Sequence, residues 1–265
     1  MDTSAKTGSR VAENCEFKIS LIFEDADFIV IDKPAGLPSA PLHPYENTAY
    51  SQITDYVPET AFVCGKKSIE GGLVHRLDTA TRGLLLAART QKAFDNFQKQ
   101  QSEGRFIKYY CAYCLKTDQA LELLQKQKDF PLVIKSRFRS YGVGNKKVKP
   151  VFTDAGKADL KKAGKTTYRT EIVSICDAGI KNGNAAVKVV CKIANGFRHQ
   201  VRSHLAAYGL PVIGDFAYNP ECSATADKPI KQELCFTACA LKFNHPLTNE
   251  PLCIVLKGFE ISDFI

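Results

Sequence analysis

Gly72-Leu73-Val74-His75-Arg76-Leu77-Asp78-Thr79-Ala80-Thr81-Arg82-Gly83-Leu84-Leu85-Leu86-Ala87 is the stretch on which the reading of this chain turns. It sets His75, Arg76 and Asp78 within four residues, with apolar residues on both sides. Leu84 to Ala88 follows as five apolar residues, short enough for a buried strand. A charged cluster therefore abuts a segment that belongs in a core. Ionised groups in such a place persist only when paired or put to chemical use. Arg76 is the nearest local partner for Asp78. Taken alone, a bare Arg-x-Asp reads as a loop acid beside a surface cation.

Four further segments extend the pattern. They are Asp32-Lys33-Pro34-Ala35-Gly36-Leu37, then Lys108-Tyr109-Tyr110-Cys111-Ala112, then His199-Gln200-Val201-Arg202-Ser203-His204-Leu205-Ala206 with Val212-Ile213-Gly214-Asp215, and last Leu241-Lys242-Phe243-Asn244-His245-Pro246. With the His-Arg-Leu-Asp stretch these five blocks, in this order, resemble the signature segments of the RluA-like pseudouridine synthases. The resemblance runs from about Phe17 to the end of the chain.

At 265 residues the chain suits one large domain or two small ones, and its 24% charged and 45% hydrophobic residues are those of an ordinary globular protein. The net charge of +8 is not spread evenly: Ile134 to Arg169 holds eleven Lys or Arg and two Asp. A patch of that kind suits a polyanion such as RNA, or else a solvated surface loop. No apolar run is long enough to span a bilayer, and the polar first residues do not read as a signal peptide, so no membrane and a cytoplasmic location are expected. Ten cysteines raise the question of zinc. Cys111 and Cys114 form a single C-x-x-C pair in a strand-like run, where residues three apart point to opposite faces. Cys235 and Cys239 have the wrong spacing for a second half-site. The cysteines therefore read as small buried hydrophobes, and no metal is expected.

In chain order, residues 1–16 read as a flexible N-terminal segment and 17–265 as one catalytic domain without a separate RNA-binding module. Phe17 to Ile31 reads as two strands around a turn at Glu24 to Asp27, with Phe17, Ile19, Leu21 and Phe23 on a half-buried face. Thr48 caps a short helix through Val57, and Thr90 caps a second helix that Gly104 ends. Phe106 to Leu115 alternates as a strand, with Lys108 and Tyr110 on one face. Asp118 to Lys128 is helix-like. Ile134 to Gly142 interleaves cations with aromatics and suits a two-stranded arm in which Arg137 and Arg139 follow phosphates while the aromatics stack on bases. Its alternative is an edge strand kept soluble by charge. Thr166 to Ile175 and Ala186 to Ile193 read as strands around Lys181-Asn182-Gly183-Asn184. Arg198 to Tyr208 reads as a helix closed by Gly209, with Arg198 and Arg202 on one face. Leu234 to Leu241 and Leu252 to Phe259 complete the strands. The sum is α+β, a single domain of mixed, mostly antiparallel sheet with flanking helices, as the resemblance also implies.

The resemblance implies an isomerase that breaks the N1–C1′ bond of a uridine in RNA and rejoins the ring through C5, with no cofactor. It makes Asp78 the catalytic carboxylate, acting as nucleophile at C1′ or as a base on the sugar. It pairs Arg202 with Asp78 in a bidentate fork. It places Tyr110 against the target base, its hydroxyl assisting proton removal at C5, where a Tyr on a half-buried strand, read alone, packs a core. Arg76 takes the space of the flipped nucleotide or its phosphate, and Val201 lines the pocket. His75 and His199 hydrogen-bond at the site, and Lys108 and Arg198 complete the substrate-binding set. The expected partner is RNA, ribosomal favoured over transfer RNA, with no obligate protein partner and a monomer. Two segments depart from the family pattern: Thr81-Arg82-Gly83 carries Arg where Ser is usual, and Gly196-Phe197-Arg198-His199-Gln200 moves an Arg by one position. Both bear on substrate identity. Two other readings are an inactive RNA-binding relative and an RNA N-glycosidase that releases free uracil.

Overall fold

The computed structural model describes residues 18–43, 45–126, 130–219 and 233–260. The expected flexible segment, 1–16, lies outside them. The described residues form one ten-stranded mixed sheet with helices on both faces, an α+β fold.

The strands are β1 (Ser20–Glu24), β2 (Phe28–Lys33), β3 (Arg82–Ala88), β4 (Ile107–Leu115), β5 (Leu132–Tyr141), β6 (Lys147–Val151), β7 (Tyr168–Lys181), β8 (Asn184–Ile193), β9 (Phe236–Asn244) and β10 (Pro251–Val255). They run in the order β1-β2-β3-β9-β4-β8-β7-β5-β6, with β10 on β9. The β3–β9 pair is parallel, through Arg82 to Thr237 and Gly83 to Ala238. Gly83 makes this approach possible: its φ is 128°, and a Cβ there would stand 2.2 Å from the Ala238 carbonyl oxygen. The long hairpin β7–β8 turns at Asn182 and Gly183, both at positive φ.

The helices are α1 (Ala49–Tyr56), α2 (Gln91–Ser102), α3 (Asp118–Gln125), α4 (Lys157–Lys162) and α5 (Gln200–Ala207). Thr48 caps α1 with a reciprocal bond to Ser51, and Thr90 caps α2 through the Ala93 amide. α1, α3 and α5 pack on one face of the sheet with Ile29, Leu85, Ala112 and Val189. α2 packs on the other with Phe28, Val30, Leu84 and Leu86. Alternate residues of β2 and β3 thus feed opposite cores, and both strands lie inside the sheet. Cys111 and Cys114 fall on opposite faces in the same way.

Three details differ from the sequence reading. Leu21 is exposed, because a bulge between Leu21 and Phe23 shifts the face of β1 and puts Ile22 and Phe23 against the core. The cation–aromatic strand does form a hairpin with β6, but Phe138 is 2% exposed and stacks on Phe197 at 5.0 Å, so it belongs to the core and offers no face to a base. Helix α5 begins at Gln200: His199 has left-handed backbone, φ 54°, and breaks the helical register before it. No described helix is long and apolar enough to cross a membrane.

Candidate active site

The His-Arg-Leu-Asp stretch folds back on β3. Gly72 to Val74 lies antiparallel to its end, with the Val74 amide donating to the Leu86 carbonyl at 3.1 Å and Ala88 to Gly72 at 2.8 Å. A Cβ on Gly72 would meet the Ala88 carbonyl oxygen at 2.1 Å, so the close approach requires glycine. Asp78 therefore sits in the turn between this return and β3. The loop after β2 pins that turn. Ser39 Oγ accepts from the Leu77 amide at 2.9 Å and donates to the Leu77 carbonyl at 2.7 Å. The Gly36 amide donates to the Thr79 carbonyl at 2.8 Å. Lys33, fully buried, donates to the carbonyls of Pro34, Leu37 and Thr79. Burial lowers its pKa to about 8 against the charges of Asp78 and Asp32.

A cleft of about 1190 Å³ opens over this turn, between the β2–α1 loop and the start of α5. Asp78, Tyr110, Val201 and Arg202 line it, together with His75, Arg76, Lys108, Arg198 and His199. Arg202 Nη1 donates to Asp78 Oδ2 at 3.0 Å. Its remaining donors do not complete a fork on Asp78, as the sequence reading had it; they go to Asp215, Nε to Oδ2 at 2.8 Å and Nη2 to Oδ1 at 2.7 Å. Asp215 has no exposed side-chain surface. Burial pulls the Arg202 pKa down, but the Asp215 bonds and the charges of Asp215 and Asp78 outweigh it, so the pKa ends raised. The guanidinium is thus a fixed cation, clamped by Asp215 and offered by one nitrogen to Asp78. Among the described residues no hydrogen bond reaches Asp78 Oδ1.

Tyr110 is 8% exposed and stacks on Phe236 at 5.1 Å with the rings 2° from parallel. Burial, then the charge of Asp78, raises its pKa, so it stands as a neutral phenol. Lys108 is 6% exposed, with its ammonium 5.6 Å from the Phe106 ring. Burial, and next the charge of Lys66, lowers its pKa to about 8. Arg76 is more than half exposed and paired to buried Glu70 at 3.0 Å. His75 Nε2 accepts from the Leu86 amide at 3.3 Å, and burial drops its pKa to about 3. His199 Nδ1 meets the Tyr218 hydroxyl at 2.9 Å, and its Nε2 lies 3.7 Å from Asp78 Oδ2.

Of three further expected site residues, one lines the cleft from a different position and two do not line it. Arg198 precedes α5, so it does not share a helical face with Arg202; it lines the cleft but bonds the Asn145 carbonyl on the β5–β6 turn. Arg137 and Arg139 do not line the cleft. Ile134, Ser136 and Phe138 take the buried face of β5, which turns the odd residues outward, and Arg139 pairs with Asp159. The sequence reading placed the Gly214-Asp215 turn but gave Asp215 no role, and it missed Lys33, Glu70, Tyr218 and Phe236.

An acid held by a clamped guanidinium, beside a neutral phenol at the floor of a basic cleft in an α+β sheet, defines a class of site built for an anionic substrate and a carboxylate reaction. The family described as RNA pseudouridylate synthase matches residues 27–207, and the chain belongs to it. Ribosomal large subunit pseudouridine synthase D of Nitrosomonas europaea is 27% identical over 242 residues, which cover 88% of this chain and 60% of that protein. Dual-specificity RNA pseudouridine synthase RluA of Pasteurella multocida is 28% identical over 232 residues, 88% of this chain and 90% of the relative. The solved structure of human RNA Pseudouridylate Synthase Domain Containing 1 superposes with TM-score 0.64 at 22% identity, over 90% of this chain and 83% of that one. It shares the fold.

Proposed function

We propose that this chain converts uridine in RNA to pseudouridine, with Asp78 as the reacting carboxylate. The observation that carries the reading is the Arg202–Asp78 contact of 3.0 Å inside the cleft. Arg202 occupies Oδ2, which leaves Oδ1 for the sugar. If Oδ1 adds to C1′, the N1–C1′ bond breaks and uracil leaves with the electron pair; after rotation C5 bonds to C1′ as the C1′–Oδ1 bond breaks and returns the carboxylate, C5 gives up its proton, and N1 gains one. If the carboxylate instead takes a sugar proton, the same placement serves. Tyr110, kept neutral by burial, packs the base and passes the C5 proton without holding a negative charge. Val201 lines the same pocket.

Lys66, Arg76, Lys108, Lys146 and Arg198 line the cleft and suit the phosphates of RNA, so affinity should fall as salt rises. Arg76, drawn aside by Glu70, has the reach to fill the stack from which a base is taken. Ribosomal RNA is the first substrate to test, because the Nitrosomonas relative is named for the large ribosomal subunit. One continuous sheet supports reading residues 17–265 as one catalytic domain.

The test is nucleoside analysis of RNA treated with wild type and Asp78→Asn. Wild type yields pseudouridine, while the variant yields none and binds RNA within about threefold of wild type. Free uracil as the product would make the chain an N-glycosidase, and pseudouridine from the variant would remove Asp78 from the chemistry.

A further inference from the structure

Arg202 is not alone in facing Asp78 Oδ2: His199 Nε2 lies 3.7 Å away. His199 has φ 54°, where a non-glycine residue stands only if its surroundings hold it. Ser203 holds the backbone, its amide and hydroxyl both donating to the His199 carbonyl at 2.9 Å, and Tyr218 holds the ring. The Tyr218 hydroxyl is 2.9 Å from His199 Nδ1, and the two rings meet edge to face at 5.6 Å. The Tyr218 ring also lies 5.5 Å from the Arg202 guanidinium, so one side chain touches both groups that face the carboxylate.

One direction of the hydrogen bonds leaves no donor idle. The Val148 amide donates to the Tyr218 oxygen at 2.9 Å. A hydroxyl owns one proton. The oxygen could also accept from an Nδ1–H, but among the described residues that would leave the hydroxyl proton without an acceptor, so that proton is directed to His199 Nδ1. Neutral imidazole has one donor and one acceptor nitrogen. A proton received at Nδ1 leaves the ring's own proton on Nε2, the nitrogen turned to Asp78. The ring is neutral at neutral pH: burial lowers its pKa, Arg202 and Arg198 add to the effect, and Asp78 and Asp215 only oppose it.

We propose that Tyr218 is a positioning residue that fixes His199 in its Nε2–H tautomer, so that an N–H and not a lone pair faces the reacting carboxylate. The opposite tautomer would aim a lone pair at Oδ2 and push the carboxylate out of line. At 3.7 Å the N–H is an oriented dipole beside Oδ2, just beyond hydrogen-bond length. With Arg202 it holds Oδ2 from two sides and keeps Oδ1 toward the cleft. Val148 belongs to β6, whose hairpin tip carries Lys146 into the cleft lining and is tied by Arg198. The seating of that hairpin is therefore read by the carboxylate through Tyr218 and His199. The effect on rate rests on the isomerase reading; the tautomer does not.

The test pairs a spectrum with kinetics on the full chain. In ¹⁵N-histidine NMR at pH 7, wild-type His199 should show Nε2 protonated and Nδ1 bare, and Tyr218→Phe should populate the Nδ1–H form. Tyr218→Phe keeps the ring on Arg202, and His199→Asn tolerates the left-handed backbone. Each should lower kcat for tritium release from [5-³H]uridine RNA about tenfold, with KM within about twofold. The double variant should be no worse than the poorer single one, because both break one chain of contacts. Tyr218→Phe should also lose activity below pH 7 where wild type does not, as His199 gains a proton among Asp78, Asp215, Arg202 and Arg198. A bare Nε2 in wild type, a variant with wild-type kcat, or losses that multiply would overturn the proposal. If the tautomers are as expected but wild type makes no pseudouridine on any RNA, the isomerase reading fails and the assignment stands.

Discussion

Asp215 never reaches the cleft, yet the site should depend on it. Arg202 is 6% exposed and gives two of its three side-chain hydrogen bonds to Asp215 and one to Asp78. Replacing Asp215 with Asn removes the charge that balances the buried guanidinium, keeps one acceptor, and turns an amide N–H₂ toward Arg202 donors. Breaking a buried ion pair from one side costs about 3–5 kcal/mol. The retained acceptor and the remaining Asp78 partner put Asp215→Asn near the lower end, about 3 kcal/mol. For a domain of this size each kcal/mol lowers Tm by roughly 2–4 °C, so the expected drop is about 6–12 °C. The second consequence is chemical. A released guanidinium rotates to grip Asp78 by both oxygens, which covers Oδ1 and misplaces the carboxylate; an error of that kind costs on the order of 10²-fold in kcat. RNA affinity should change little, because the cations that line the cleft remain. Calorimetry gives the Tm, tritium release the kcat, and filter binding the affinity. If Asp215→Asn melts within about 2 °C of wild type, or loses stability while keeping full kcat, the clamp does not work as argued.

Lys108 and the buried histidines give two further expectations. The Lys108 pKa is lowered to about 8, so its charged form costs stability below pH 8, and the cost fades as pH rises toward 10.5. Lys108→Met should therefore stabilise the protein at pH 7 by up to about 3 kcal/mol in urea titrations while weakening RNA binding; a destabilised variant would show that the ammonium has a favourable partner. His75 and His204 are lowered to about 3 and 4. The unfolded chain binds more protons below pH 6.5, so stability falls as pH drops from 6.5 toward those values. In His75→Gln the pH–stability slope over pH 4–6 should be shallower by about 1.4 kcal/mol per unit, and an unchanged slope would mean that the ring takes up protons without unfolding.

What could be read from the sequence was local, and what could not was the meeting of distant segments. The buried run of β3, the caps at Thr48 and Thr90, and the β7–β8 turn follow from neighbours a few residues apart. Asp78, Tyr110 and Arg202 were legible because motif segments carried them. Asp215 lay in a motif segment too, but its role did not show, because its partner is set by where the turn after α5 is brought, and no spacing encodes that. Arg198 was misplaced by the same limit: a run that looks helical from Arg198 onward begins two residues later, behind a histidine whose left-handed backbone leaves no periodic trace. Alternation on β5 sorted residues into two faces correctly. It could not say which face is inward, and so cations that read as phosphate contacts turned away from the cleft.

The two departures from the family pattern have unequal weight once they are placed. Arg82 ion-pairs with Asp32 across β3 and β2 at 2.8 Å and does not line the cleft. It ties a strand pair that the core already holds, so it should have little influence on which RNA enters. Phe197 and Arg198 act differently. Phe197 stacks on Phe138 of β5, and Arg198 bonds the Asn145 carbonyl at the turn of the same hairpin while itself lining the cleft. Together they fasten the β5–β6 arm, with Lys146 at its tip, to the edge of the cleft that RNA would cross under the proposed function. The arm also supplies the Val148 amide on which the Tyr218–His199 contact depends. A change of substrate in this chain is therefore expected at the arm and its two anchors, where recognition and the geometry of Asp78 are joined, and not at the carboxylate, whose surroundings carry the chemistry common to the family.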